Sequence, residues 1–151
     1  TQTRMVDLNC RAATAMIMAV LPYMGTGCGI INIASIAAFA PNARMTVYSS
    51  TKAYVLSLSR GLRMELKPRG IHVLAVCPGP MATEFLEVAG ITGCSKTFER
   101  LPYCNAERVA AKALRASRRG RGVYTPRLFF KFYRLVAKVL PHDLVMHWCR
   151  T

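Results

Sequence analysis

Apolar positions change their period along this chain. Residues 29–35, GIINIAS, are rich in isoleucine and apolar on both faces. A strand covered by helices on both sides reads this way, which predicts a central strand of a parallel sheet. Residues 71–78, IHVLAVCP, repeat the pattern and stop at Pro78-Gly79-Pro80, and GVYTP at 122–126 predicts a shorter third strand. Between the first two, Val47, Val55, Leu58, Leu62 and Leu66 recur at helical spacing. They predict a helix from about 45 to 67, ended by Pro68 and Gly70. Residues 5–24, dominated by Ala, Met and Leu, predict a mostly buried helix with Asp7 near its start and Gly25 and Gly27 after its end. Asn105 is placed to cap a helix running to Arg119, with Val109 and Leu114 facing inward. Arg108, rather than a glutamate, holds the third position, so no capping box forms.

Helix, strand, helix, strand, helix, strand is the order of an α/β unit. The expected fold is a partial doubly wound, Rossmann-like parallel sheet in three layers, lacking its first strands. Such folds bind ligands beyond the carboxyl ends of their strands. Ser35 and the Pro78–Pro80 turn lie at two such ends, and Tyr48 stands a turn into the helix that follows. These positions describe one cleft.

Composition narrows the picture. The chain has 151 residues, 52% of them apolar, enough for a real core. Its net charge of +14 is uneven: residues 1–90 carry eight Lys/Arg against four Asp/Glu, and residues 91–151 carry thirteen against three. Such an excess favours acidic partners, but no nucleic-acid module accompanies it and no nucleic acid is expected. Six cysteines without a CxxC predict free thiols in a reducing cytoplasm. His142 and His147 lack a third ligand, so no metal site is expected, and His72 reads as a strand residue near the surface. No leader and no membrane-spanning apolar run is predicted.

The candidate chemistry begins at YSSTK, 48–52. Tyr48 and Lys52 share a helix face. An ammonium there would pull a phenol below its usual pKa of about 10 and let it exchange a proton with a carbonyl oxygen. Ser35 would hold the same oxygen with a hydrogen bond. Asn9, on the preceding helix, would grip a backbone carbonyl or an ordered water behind the lysine. A tyrosine and a lysine four apart also occur in ordinary helices, so the pair alone decides nothing.

The ordered set is more specific. Asn9 in VDLNC, Ser35 in INIAS, Tyr48 and Lys52 in YSSTK, a long helix ending ELKPRGIHV, and Pro78, Gly79 and Thr83 in CPGPMAT together resemble the short-chain dehydrogenase/reductase family. The resemblance runs from the first helix to about residue 126. It implies a catalytic tetrad of Asn9, Ser35, Tyr48 and Lys52. Tyr48 is then the acid/base, Lys52 binds the nicotinamide ribose, and Ser35 orients substrate. It implies NAD or NADP as cofactor, lined by Tyr48, Lys52, Pro78, Gly79 and Thr83, although a helix cap explains Thr83 almost as well. The reaction implied is hydride transfer between NAD(P) and a carbonyl or secondary alcohol.

Departures are large. The glycines of GTGCG, 25–29, follow a helix and enter a strand, the wrong order for a pyrophosphate-binding turn. The residue that sorts the adenosine ribose and the family's Asn-Ala-Gly turn are missing as well. Residues 1–126 are therefore expected to match only the C-terminal half of the family's domain. Alone they would be inactive, with an open sheet edge that favours a homo-oligomer. Residues 127–151 form a basic, amphipathic helical extension, with Arg127, Lys131, Arg134 and Lys138 in one stripe. It has three readings: packing on the protein itself, peripheral contact with an acidic bilayer through 127–149, or a substrate lid. Phe85, Leu86, Val88, Ile91, Phe98 and Leu101 point to a mostly apolar substrate. The competing functional reading is a non-catalytic α/β module that binds a partner or a membrane. An epimerase or dehydratase of the same family would keep the same tyrosine.

Overall fold

The computed structural model describes residues 1–81 and 101–148. Thr83, Phe85, Leu86, Val88, Ile91 and Phe98 lie outside the described residues. The elements are α1 (Gln2–Tyr23), β1 (Gly29–Ile33), α2 (Thr46–Leu66), β2 (His72–Val76), α3 (Ala106–Arg118), β3 (Val123–Tyr124), α4 (Leu128–Val139) and α5 (His142–Trp148). The strands form a parallel sheet in the order β1-β2-β3, with Gly29 opposite His72 and Ala75 opposite Val123. This is a partial Rossmann-like fold with several strands of the full doubly wound sheet missing.

Strand β2 shows how the layers are made. Its side chains alternate between the two faces of the sheet, as a two-residue period requires. Val73 meets Ile17, Leu62 and Leu66, and Ala75 with Cys77 meets Val55 and Leu56. Leu74 and Val76 point the other way, onto Val109, Ala113 and Ala116 of α3. Helix α4 contributes to both sides, Ala137 to one cluster and Phe130 to the other, so it lies across the carboxyl ends of the strands. Between α2 and β2, Gly70 adopts a left-handed conformation (φ 68°) after the Lys67–Arg69 turn. That conformation is open to glycine at little cost, and the Gly70 carbonyl accepts the Gly27 N–H at 2.9 Å, tying together the entries to β1 and β2.

Four expectations need correction. Strand β1 is not central: among the described residues it is an edge strand, with Ile33 exposed. Helix α1 is not mostly buried. Only Ile17 is buried on it, while Leu8, Met16 and Tyr23 face solvent. The composition is that of a helix, but Ala and Met are equally at home on a core face or an unfilled contact face. Helix α1 is also long and apolar enough to cross a membrane, by length and composition only, with a mean hydropathy of 1.2. The expectation that no segment reaches that length therefore fails. One face of α1 is nevertheless tied to α2, through Asn9 to Thr51 and Thr14 to Tyr54. Arg69 donates to the Leu21 and Met24 carbonyls at the helix end. In α3 the predicted cap holds, Asn105 accepting the Arg108 N–H at 2.8 Å, but Leu114 faces outward and Ala113 and Ala116 take the inner face.

Candidate active site

Strand β1 ends at Ile33, and the chain turns at Ser35, whose Oγ accepts the Ala37 N–H at 3.2 Å. That bond is an N-cap for the short turn Ile36–Ala38, so Ser35 keeps its own hydroxyl proton for another acceptor. A side-chain hydrogen bond joins Ser35 and Tyr48. Two hydroxyls from separate elements thus meet at the carboxyl end of the sheet. The Ile36 N–H donates to the Pro78 carbonyl at 3.0 Å, which locks the Ser35 turn to the exit of β2.

Lys52 stands one helical turn beyond Tyr48, its Nζ 5.8 Å from the centre of the phenol ring. Its amine donates to the Ile33 carbonyl at 3.0 Å, at the end of β1. The electrostatics differ from the expectation. Burial raises the Tyr48 pKa, and the hydrogen bond from Ser35 only partly opposes it. Burial also lowers the Lys52 pKa, against upward pulls from Cys10 and Cys77. Desolvation disfavours whichever form is charged, and here it acts on both groups at once. For the phenol, burial outweighs the Ser35 hydrogen bond.

Asn9 sits in a π-helical turn, Asp7–Ala12, inside α1. Such turns widen a helix locally and recur at functional sites. Its amide donates to Thr51 Oγ1 at 3.1 Å, and that hydroxyl donates to the Tyr48 carbonyl at 2.8 Å. The expected partner of the Asn9 amide is a backbone carbonyl or a water behind the lysine; the observed one is Thr51. Asn9 therefore braces the backbone of Tyr48 through a side chain that the motif alone did not single out.

Pro78 and Gly79 are both buried. Gly79 lies directly beneath the ring of Phe130 from α4, close enough that a Cβ would collide with the ring tip. Phe130 was missed at the sequence level because its contact is a tertiary one, between a strand exit and a helix far along the chain. Cys77, beside this turn, has its thiol pushed up to about 12, chiefly by burial, with Arg134 among the charges opposing it. It remains a neutral thiol. Leu101 is half-buried and packs against the α3 side of the core. Among the described residues no group of His, Cys, Asp or Glu has a metal-binding arrangement.

Parallel strands, covering helices and a Ser-Tyr-Lys constellation at the strand ends define an α/β domain of the dinucleotide-binding type. Residues 1–93 match the family model described as short chain dehydrogenase, and the chain belongs to that family. The match covers the N-terminal majority of this chain. It overturns the expectation of a resemblance confined to the C-terminal half of the family's domain and running to about residue 126. Among curated relatives, the chain is 41% identical over 66 residues to "Glucose and ribitol dehydrogenase homolog 2" of Arabidopsis thaliana, covering 44% of this chain and 23% of that protein. It is 37% identical over 107 residues to "Very-long-chain 3-oxoacyl-CoA reductase-A" of Danio rerio, covering 70% and 33%. The chain thus spans about a third or less of the length of these curated relatives. Among solved structures, a short-chain dehydrogenase from Sphingobium yanoikuyae in complex with NADPH superposes with a TM-score of 0.75 at 34% identity, covering 99% of this chain and 57% of the other. A short chain dehydrogenase from Burkholderia cenocepacia J2315 in complex with NADP shares the fold, with a TM-score of 0.81 at 21% identity and coverage of 100% and 61%.

Proposed function

We propose that the whole protein is an oxidoreductase that transfers a hydride between NAD or NADP and a small carbonyl or secondary alcohol substrate. The observation that carries this reading is the hydrogen bond between Ser35 and Tyr48 at the sheet's carboxyl end, with Lys52 one turn further on. The donor set fits a nicotinamide nucleotide. Two hydroxyls converge where a carbonyl oxygen would be polarised, and an amine that now holds only a strand-end carbonyl is free in chemistry to take ribose hydroxyls instead. The nucleotide, when bound, supplies or accepts the hydride.

The protein's own part is the proton and the geometry. Ser35, its Oγ fixed by the Ala37 N–H, turns its proton toward the substrate oxygen. Tyr48, kept neutral by burial, gives its proton to that oxygen as negative charge develops and retrieves it in the reverse direction. Lys52 supplies positive charge beside the phenol once the proton has left. Asn9 and Thr51 keep the start of α2 in register with these groups. Gly79 offers only what Phe130 leaves uncovered, so the turn's contribution to a cofactor site is that of its backbone.

Two of the superposed proteins were solved with NADPH or NADP, which supports NAD(P) chemistry. Among the described residues, the free thiols of Cys10, Cys28, Cys77 and Cys104 favour a cytoplasmic setting. The exposed Leu8, Met16 and Tyr23 of α1 favour a homo-oligomer built on that helix. The test is a titration of the full-length protein with NADH and NADPH, followed by turnover of a panel of ketones, for wild type and Tyr48→Phe. The variant should keep cofactor binding and lose about 10²- to 10⁴-fold in turnover. Equal turnover in the two proteins refutes the assignment.

A further inference from the structure

Helix α4 presents the wrong chemistry to solvent. At about 100° per residue, its buried side chains, Phe130 and Ala137, fall together on the inner face. The opposite face carries Leu128, Phe132, Leu135 and Val139, exposed by 81%, 67%, 58% and 71%. The most outward strip of the helix is therefore apolar, with its basic residues along one shoulder. A helix that merely covered a core would reverse this order. Of the three sequence readings of this segment, packing on the protein itself accounts for the inner face and leaves the outer one bare.

Charge selects the occupant. Lys131 and Lys138 are exposed on that shoulder, and Arg127 precedes it, while Arg134 is turned inward over the Phe39 ring at 5.9 Å. From residue 108 to residue 142 the sequence has ten Lys or Arg and no Asp or Glu. A second copy docked α4 against α4 would bring these cations together around its apolar seam. A lipid surface with anionic headgroups reverses the sign: it accepts the apolar strip among acyl chains while phosphates meet the ammonium groups at the shoulder.

We propose that α4 is a peripheral membrane-docking helix that lies flat on an anionic bilayer, with Leu128, Phe132, Leu135 and Val139 inserted and Lys131 and Lys138 at headgroup level. This stands independently of the redox reading. It also gives the carboxyl end of the sheet an orientation, because Phe130 on the same helix rests on Gly79.

Co-sedimentation with vesicles tests it, using the full chain and two lipid compositions, phosphatidylcholine alone and equal parts phosphatidylcholine and phosphatidylserine. Wild type should pellet with the anionic vesicles and release in high salt. Phe132→Glu/Leu135→Glu should weaken binding at least about tenfold, and Lys131→Glu/Lys138→Glu should remove the preference for phosphatidylserine. Circular dichroism and a thermal melt confirm that both variants fold, as their exposed positions predict. Failure of wild type to bind anionic vesicles overturns the proposal, and so does unchanged binding by the apolar variant. If sedimentation velocity shows Phe132→Glu/Leu135→Glu turning a multimer into a monomer, the face belongs to a second copy and the proposal also falls.

Discussion

Substituting Gly79 by alanine tests how tightly the strand exit and α4 are locked. A Cβ there would overlap the tip of the Phe130 ring and lie 3.0 Å from its Cε1. Ordinary carbon contacts begin near 3.5 Å, so the ring tip has to retreat by more than about 1 Å to restore them. Phe130 is fully buried and packs against Leu74, Val76 and Val109, with Phe129 edge-on to it at 5.3 Å. Overpacking of this kind costs about 1–3 kcal/mol. With a urea m-value of about 2 kcal/mol per molar, that lowers the unfolding midpoint by about 1 M. Phe130→Leu alone is expected to cost about 1–2 kcal/mol in lost ring contacts. In the double variant the shorter leucine makes room for the new methyl, so the two penalties should overlap by at least about 1 kcal/mol. The assay is equilibrium urea unfolding of all four proteins. If the two single penalties add to within about 0.5 kcal/mol, the contact does not couple the turn to the helix and the geometry drawn here is refuted.

Three further outcomes follow from other parts of the molecule. Burial raises the Tyr48 pKa above its usual 10.0, so the unfolded chain releases this proton first as pH rises; wild type should lose stability from about pH 10 upward more steeply than Tyr48→Phe, read from thermal midpoints across that range. Removing the α3 cap with Asn105→Ala should cost about 1 kcal/mol, measured by urea unfolding, because the Arg108 N–H loses its acceptor. Cys77, with its thiol pushed up to about 12, should resist iodoacetamide at neutral pH in the folded protein and react after unfolding, as intact mass will report.

Much of this was legible in the order of residues. The apolar run of β2 marked a strand covered on both faces, Pro68 and Gly70 marked the end of α2, and Asn105 marked the start of α3. Helical spacing placed Tyr48 and Lys52 on one face, and the strand end put Ser35 within reach. What stayed hidden depends on partners distant in the chain. Nothing near Gly79 says that Phe130 will cover it, and nothing near Asn9 says that Thr51 will accept its amide. Exposure was the weakest inference: Leu114 and α1 carry the same residue types a core would use, and only the three-dimensional arrangement leaves them uncovered. The balance of forces on Tyr48 was also beyond pattern reading, since charge proximity is visible in a motif and desolvation is not. Nor did motif order give the family match its span, 1–93.

The sheet has a temporal consequence as well. Gly29 pairs with His72 and Ala75 with Val123, so every rung of the ladder joins residues more than forty positions apart. None of it can form by local closure, which makes assembly slow compared with hairpin formation. On a growing chain, β2 can dock on β1 well before Val123 and Tyr124 emerge. At ribosomal speeds that leaves its second edge bare for several seconds. During that interval the most deeply buried strand of the finished domain is the one most in need of a chaperone.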